Sequence, residues 1–332
     1  MTATAGTTMS ETTPGEDTLA GARPTGADAG DEAAFDPSGR PRVMRDLYRV
    51  FHEREMTLAE VTWHQHRLHE WRRWSAVDAI DAIDIAGLSD ADRVYVWNAG
   101  RAELTTKPGA DRLAGLSDKE CRIWQEKDPA LAAVMQACGT WSRYWNEEEA
   151  YHETSFNRLA ALVDMPRVDD ETFIEFRKIF PDDDMLRTLT LLAISEIVAA
   201  TNYAGCARAA RDPGVKALFQ QVSADEIQHM QYCTSVARAL IDSGHYPAKD
   251  ALAVAHLFVR EGGELYGSRR EVVEERGTHV NWRDTLEDGD VDRPQTIAKQ
   301  QAMIFTLVRQ LTDIEVNSAE DVEDAWMEMV GC

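Results

Sequence analysis

The sequence predicts an all-α chain, a four-helix bundle with additional N- and C-terminal helices. Three observations predict it. From residue 43 onward apolar residues recur at helical spacing, with no sustained strand alternation and no hairpin turn. Two apolar stripes are each interrupted by one E-x-x-H pair, Glu149/His152 and Glu226/His229. A third apolar run, residues 189–206, carries Glu196 as its one charge.

Taken in order, residues 1 to about 41 are acidic and rich in Thr, Gly, Pro and Asp, with few large apolar side chains. Such a segment cannot bury enough surface to offset ordering, so a disordered tail is expected, with the folded domain spanning 42–332. Residues 43–80 read as helical and aromatic-rich. Their histidines, His64, His66 and His69, lack a recurring carboxylate partner, which gives them a surface or second-layer role. Ser89 is placed to cap a helix running to about residue 106, where Lys107-Pro108-Gly109 disturbs it. Residues 116–127 read as a connection. Pro129 suits a first helical turn, and the helix it opens runs to about 163, roughly 50 Å at 1.5 Å per residue.

A turn at 164–169 and a short amphipathic helix at 172–180 follow, and Pro181 opens the helix of Glu196. Asp212-Pro213-Gly214 stops that helix and starts the next, which carries Glu226 and ends at Ser243-Gly244. Further helical patterns occupy 251 to about 275 and 296 to about 311, and Ser318 caps a short last helix.

With 332 residues and 44% hydrophobic content the chain can bury a large core. A net charge of −23 argues against nucleic acid and anionic membrane as partners. No uncharged apolar stretch reaches eighteen residues, so no membrane span is expected. The start of the chain has neither a basic-plus-apolar leader nor an Arg-rich transit pattern, which reads as cytoplasmic. Five cysteines, with no C-x-x-C spacing, make a disulfide framework or zinc knuckle unexpected.

Composition alone gives about one E-x-x-H spacing by chance. Context gives these two their weight. Residues three apart share a helix face, so each carboxylate–imidazole pair sits inside an apolar stripe. Val134, Cys138, Trp141, Trp145, Phe156, Leu159 and Val163 flank the first; Val215, Phe219, Val222, Cys233, Val236 and Leu240 flank the second. Such burial is costly unless compensated, and a metal cation is a common compensation. Two E-x-x-H pairs and two further glutamates on four helices form the ligand set of carboxylate-bridged di-iron proteins. Carboxylates bridge hard cations, and four of them offset the charge of two ferrous ions. Glu196 supplies one lone glutamate. Glu103, Glu120 and Glu126 are candidates for the other. Glu103 gives the even spacing, 46 residues before Glu149 against 47 from Glu149 to Glu196.

Four segments resemble the soluble acyl-carrier-protein desaturases, members of the ferritin-like di-iron superfamily. W-S-R-Y-W-N-E-E-E-A-Y-H at residues 141–152 is similar to that family's W-T-R-A-W-T-A-E-E-N-R-H, and S-A-D-E-I-Q-H at 223–229 to its A-A-D-E-K-R-H. The helix from 88 to 103 resembles a family helix that reaches its Glu ligand at a similar offset. V-N-S-A-E-D at 316–321 is similar to a C-terminal V-Y-T-A-x-D-Y element. The resemblance implies a ferritin-like bundle and a homodimer. It implies two iron ions held by Glu103, Glu149, His152, Glu196, Glu226 and His229, and a carrier-bound acyl substrate desaturated with dioxygen and electrons from ferredoxin. It also implies an electron path from a tryptophan (Trp63, Trp71 or Trp74) through Asp225 to His152, with core packing the alternative for each ring.

Three departures accompany the likeness. Ala199 stands where the family usually has a Thr, with Thr201 nearby on another face. The connection from Glu103 to Glu149 is longer. Acyl carrier proteins and ferredoxins are acidic, so docking calls for basic patches, for which Arg67/Arg72/Arg73 and Arg269/Arg270 are candidates. Another di-iron oxygenase, such as an N-oxygenase, is the second reading. Those enzymes carry an extra His where this chain has Val222. A ferritin-like storage or structural bundle is the third, but a storage shell has no use for the added helices.

Overall fold

The computed structural model describes residues 40–103, 106–164, 184–260 and 291–331. Eleven α-helices are described: α1 (Leu47–His52), α2 (Leu58–Arg72), α3 (Ala76–Asp81), α4 (Asp90–Glu103), α5 (Thr106–Trp124), α6 (Pro129–Leu162), α7 (Met185–Ala209), α8 (Pro213–Asp242), α9 (Lys249–Arg260), α10 (Arg293–Thr312) and α11 (Ala319–Val330). Among the described residues there is no β-strand, and the all-α bundle with flanking helices is the architecture found.

The helix starts follow local chemistry. Asp128, Asp184, Asp212 and Asp292 each accept a hydrogen bond from a first-turn amide of α6, α7, α8 and α10, with proline in the first turn of α6, α8 and α10. Ser89 accepts from the Asp92 amide at the start of α4. Thr57 with Glu60, and Ser318 with Asp321, form capping boxes on α2 and α11. Gly244, at φ 74°, supplies the left-handed turn beyond α8.

Residues 43–80 are helical as expected, divided into three helices, with Arg54 at φ 57° in the break after α1 and no glycine or proline marking either break. One expectation is corrected. Residues 116–124 are the end of α5 rather than a connection. Pro108 lies in the first turn of that helix, where a missing N–H costs nothing.

Two apolar clusters fill the bundle. Trp141, Trp145, Leu189, Ile194, Ile197, Cys233 and Val236 belong to the first. Tyr95, Ala99, Phe156, Tyr203, Phe219 and Val222 belong to the second. α4 leaves the second cluster and its continuation α5 enters the first through Ala110 and Leu113. α6 and α7 both run from the first cluster to the second, and α8 returns. Thus α6 and α7 run in the same sense and α8 is antiparallel to both, the one-crossover arrangement of ferritin-like bundles. The α6–α7 connection, with the expected helix at 172–180 and Pro181, lies outside the described residues, as do the tail at 1–39 and residues 261–275.

α1, α2 and α3 pack against α6, and α9 and α10 against α7. α7 is long and apolar enough to cross a membrane, but it is the central helix of the bundle and most of it is buried. Cys121, Cys138, Cys206 and Cys233 are buried free thiols; Cys332 is outside the described residues.

Candidate metal centre

On every central helix, the change from one apolar cluster to the other is marked by acids and imidazoles. Glu103 follows Ala99 on α4, and Glu149 and His152 lie between Trp145 and Phe156 on α6. Glu196 precedes Ile197 on α7, and Glu226 and His229 lie between Val222 and Cys233 on α8. All six are buried, and both histidines are wholly enclosed. The structure brings all six together in two overlapping groups, Glu103/Glu149/His152/Glu226 and Glu149/Glu196/Glu226/His229, with one potential ligand atom per residue within 4.8 Å of the others in its group. Glu149 and Glu226 belong to both. Glu120 instead bonds Trp124 and Tyr246, and Glu126 is exposed.

Both imidazoles turn Nδ1 into the cluster. His152 Nδ1 lies 3.3 Å from Glu149, 3.4 Å from Glu226 and 3.9 Å from Glu103. His229 Nδ1 lies 2.9 Å from both Glu149 and Glu226. On the opposite edge, His152 Nε2 is 3.2 Å from Asp225, and His229 Nε2 is 2.8 Å from Glu148. A carboxylate behind each imidazole fixes the Nε2–H tautomer and leaves Nδ1 as a donor atom for a cation. His152 Nδ1 is buried without a hydrogen-bond partner, and a cation bound there would satisfy it. The donor set, four carboxylates and two imidazoles, therefore fits two divalent transition-metal ions.

Electrostatics give the same picture. Burial, then the charges of Glu149 and Glu226, pushes Glu103 and Glu196 well above the usual carboxylate range. Burial would also raise Glu149, but His152 and His229 outweigh it and hold that carboxyl well below. Burial disfavours both imidazolium ions, yet the surrounding carboxylates raise His152 and His229 well above the ordinary histidine value. All four groups thus favour their protonated forms, and a bound cation would answer the same excess of negative charge.

Several residues surround this layer, and among them the roles of Glu148 and Tyr203 were not evident in the sequence. Glu148 bridges His229 to His69, whose Nδ1 lies 2.7 Å away. Asp225, held at about 2 by His152 and Arg72 against the upward push of burial, accepts from Arg72 at 2.7 Å and Trp74 at 2.9 Å. Trp74 is thus the tryptophan joined to Asp225. Trp63 and Trp71 are 61% exposed, so core packing does not describe them. Tyr203 donates to Glu103 and Trp145 to Glu149. The Thr201 hydroxyl donates to Ile197 of its own helix, and Val222 is enclosed in the second apolar cluster.

Of the expected basic patches, Arg72 is engaged with Asp225, and Arg73 pairs with Glu70. Arg269 and Arg270 lie outside the described residues. The remaining early histidines are structural: His64 bonds the Arg42 carbonyl, and His66 lies against Trp63 and Tyr144.

No protein-family model matches the chain. No curated protein matches it. Among solved structures, the chain is similar to an R2-like ligand-binding oxidase with an aerobically reconstituted Mn/Fe cofactor. The TM-score is 0.46 and the identity 13%, over 82% of this chain and 94% of that one. A variant of such an oxidase with an aerobically reconstituted Fe/Fe cofactor gives TM-score 0.46 and 12% identity, over 81% and 94%. At this identity the likeness concerns the course of the helices and transfers no residue roles.

Proposed function

We propose that the chain is a di-metal oxidoreductase that uses dioxygen, with two iron ions held by Glu103, Glu149, His152, Glu196, Glu226 and His229. One observation carries the reading: two buried groups share Glu149 and Glu226, each with an imidazole Nδ1 turned inward. A structural or storage bundle gives no reason to fix each imidazole from behind through a separate carboxylate.

When bound, a pair of redox-active ions supplies the electron exchange with dioxygen that no side chain here can provide. The protein does the rest. Asp225 and Glu148 orient the imidazoles. Glu149 and Glu226, common to both ligand groups, would be shared between the two ions. The apolar clusters on either side exclude water, which protects a reactive oxidant from solvent.

The finer reading is desaturation of a carrier-bound acyl chain. Its support is the likeness of residues 141–152 and 223–229 to acyl-carrier-protein desaturases, together with the Trp74–Asp225–His152 hydrogen bonds, which give an electron donor such as ferredoxin a route inward. In that reaction two hydrogens leave adjacent methylenes. Dioxygen takes them up with two external electrons and two protons, giving two waters. The second reading, oxygen insertion, is favoured by Ala199, where the desaturase pattern calls for Thr, and by the Thr201 hydroxyl being turned onto its own helix.

The test supplies the iron-loaded chain with a ferredoxin reducing system, dioxygen and acyl carrier protein bearing fatty chains, and reads product mass. Loss of two hydrogens is expected. A gain of oxygen selects the second reading. No product, from a chain that holds no iron, overturns both.

A further inference from the structure

α2 lies outside the four-helix bundle, and the face it turns inward sets buried polar residues beside the apolar Val61 and Leu68. Gln65, His69 and Arg72 fall at i, i+4 and i+7, on one side of the helix. Gln65 donates to the Ala137 carbonyl of α6 at 3.2 Å. His69 meets Glu148 of α6 at 2.7 Å, and Arg72 meets Asp225 of α8 at 2.7 Å. His69 is 3% exposed. Val61 and Leu68 anchor the helix by apolar burial, but burying Gln65 and His69 gains little from desolvation, so the polar identities need another explanation.

The explanation lies at the far end of each contact. Glu148 reaches His229 at 2.8 Å, and Asp225 reaches His152 at 3.2 Å. One helix face thus stands behind both imidazoles, through two chains that share no residue: His69–Glu148–His229 and Arg72–Asp225–His152. On the described residues Glu148 has no other anchor than His69 and His229. Asp225 is also held by Trp74 and Gln221.

We propose that α2 is a clamp on the metal centre, with His69 and Arg72 as positioning residues. Each sets one imidazole, and so one of two ion positions, from outside the bundle. The inference rests on the two-metal reading above. Because Glu148 depends on His69 alone, the His229 arm is the more sensitive. Because Trp74 and Gln221 also hold Asp225, the His152 arm is the more tolerant.

The full-length apo chain is titrated with cobalt(II), following ligand-field absorption for stoichiometry and stepwise affinity, with far-UV circular dichroism as the check on folding. Wild type takes two ions. His69→Ala keeps one at wild-type affinity and binds the other about 10–100-fold more weakly. Arg72→Ala weakens the other position by less. His69→Asn, whose amide nitrogen replaces Nδ1, restores most of the lost affinity. If His69→Ala lacks wild-type helicity, His69→Leu takes its place, with the same single loss expected. Two ions at wild-type affinity in folded variants of both residues overturn the clamp, as does an Asn variant no better than the Leu one. A wild-type chain that takes no cobalt and no iron overturns the two-metal reading instead.

Discussion

At the scale of single residues, the site is a problem in charge. Six ionisable groups share a layer from which water is largely excluded; burial and neighbouring carboxylates raise Glu103 and Glu196, and the same carboxylates raise His152 and His229 against the effect of burial. Metal ions compete with protons for these groups. The sign follows: the folded-state affinities of all four groups for protons are raised, so protons compete more strongly as pH falls and metal binding weakens. Titration of the apo chain with ferrous ion under anaerobic conditions, at several pH values in lightly buffered solution, is expected to show proton release and an affinity that rises with pH. An affinity independent of pH would mean the ions bind elsewhere.

The residues that carry this chemistry were readable because a charged side chain inside an apolar helical stripe is conspicuous in one dimension. Glu103 was readable by its even spacing from Glu149 and by the likeness of residues 88–103 to a desaturase helix. Glu148 was hidden by its neighbours: Glu147, Glu148 and Glu149 are alike in sequence, and only helical rotation separates an exposed Glu147 from a buried Glu148 behind His229.

At the scale of elements, capping chemistry marked most helix starts, since Asp or Ser before an apolar run is a local signal. The breaks around α1 and α2 have no such signal. For α2 the sequence left a surface and a second-layer role open for its histidines, because Gln65, His69 and Arg72 beside Val61 and Leu68 look in sequence like a partly solvated face; His69 takes the second-layer place. Pro108-Gly109 suggested an interruption, yet a proline in a first turn is compatible with α5.

Gly214 shows how closely the elements are set. A Cβ there would lie 2.7 Å from the Ala82 carbonyl oxygen and 2.8 Å from Ile83 Cγ1, so α8 begins against the backbone that follows α3. Gly214→Ala is expected to destabilise the fold by about 1–3 kcal/mol, the range for an overpacked contact. Thermal unfolding of the two chains measures it, and an unchanged midpoint would show that this backbone yields freely.

At the scale of the whole molecule, the all-α class and the bundle were legible from periodicity, while the shared direction of α6 and α7 was not. Direction depends on the length and course of the connection between them, which helical periodicity does not encode. The bundle places a polar layer between two apolar clusters, and that layer is the weak plane of the ion-free chain. Bound ions stabilise only the folded form, so stability should rise with free metal in the manner of linked binding, by about 2.7 kcal/mol per ion at a concentration 100 times its dissociation constant. Unfolding in ferrous ion, against a chelated sample, is expected to show this increase. Equal midpoints would indicate that no ion binds the native layer.

The most direct test is metal content. Reconstituted with ferrous ion, separated from free metal and analysed by elemental mass spectrometry, the wild-type chain should hold about two ions, one for each overlapping group. Glu149→Ala, which removes a carboxylate common to both groups, should lose that content while remaining helical, and His229→Ala should do likewise. Two ions retained by both folded variants, or none in the wild type, would contradict the account.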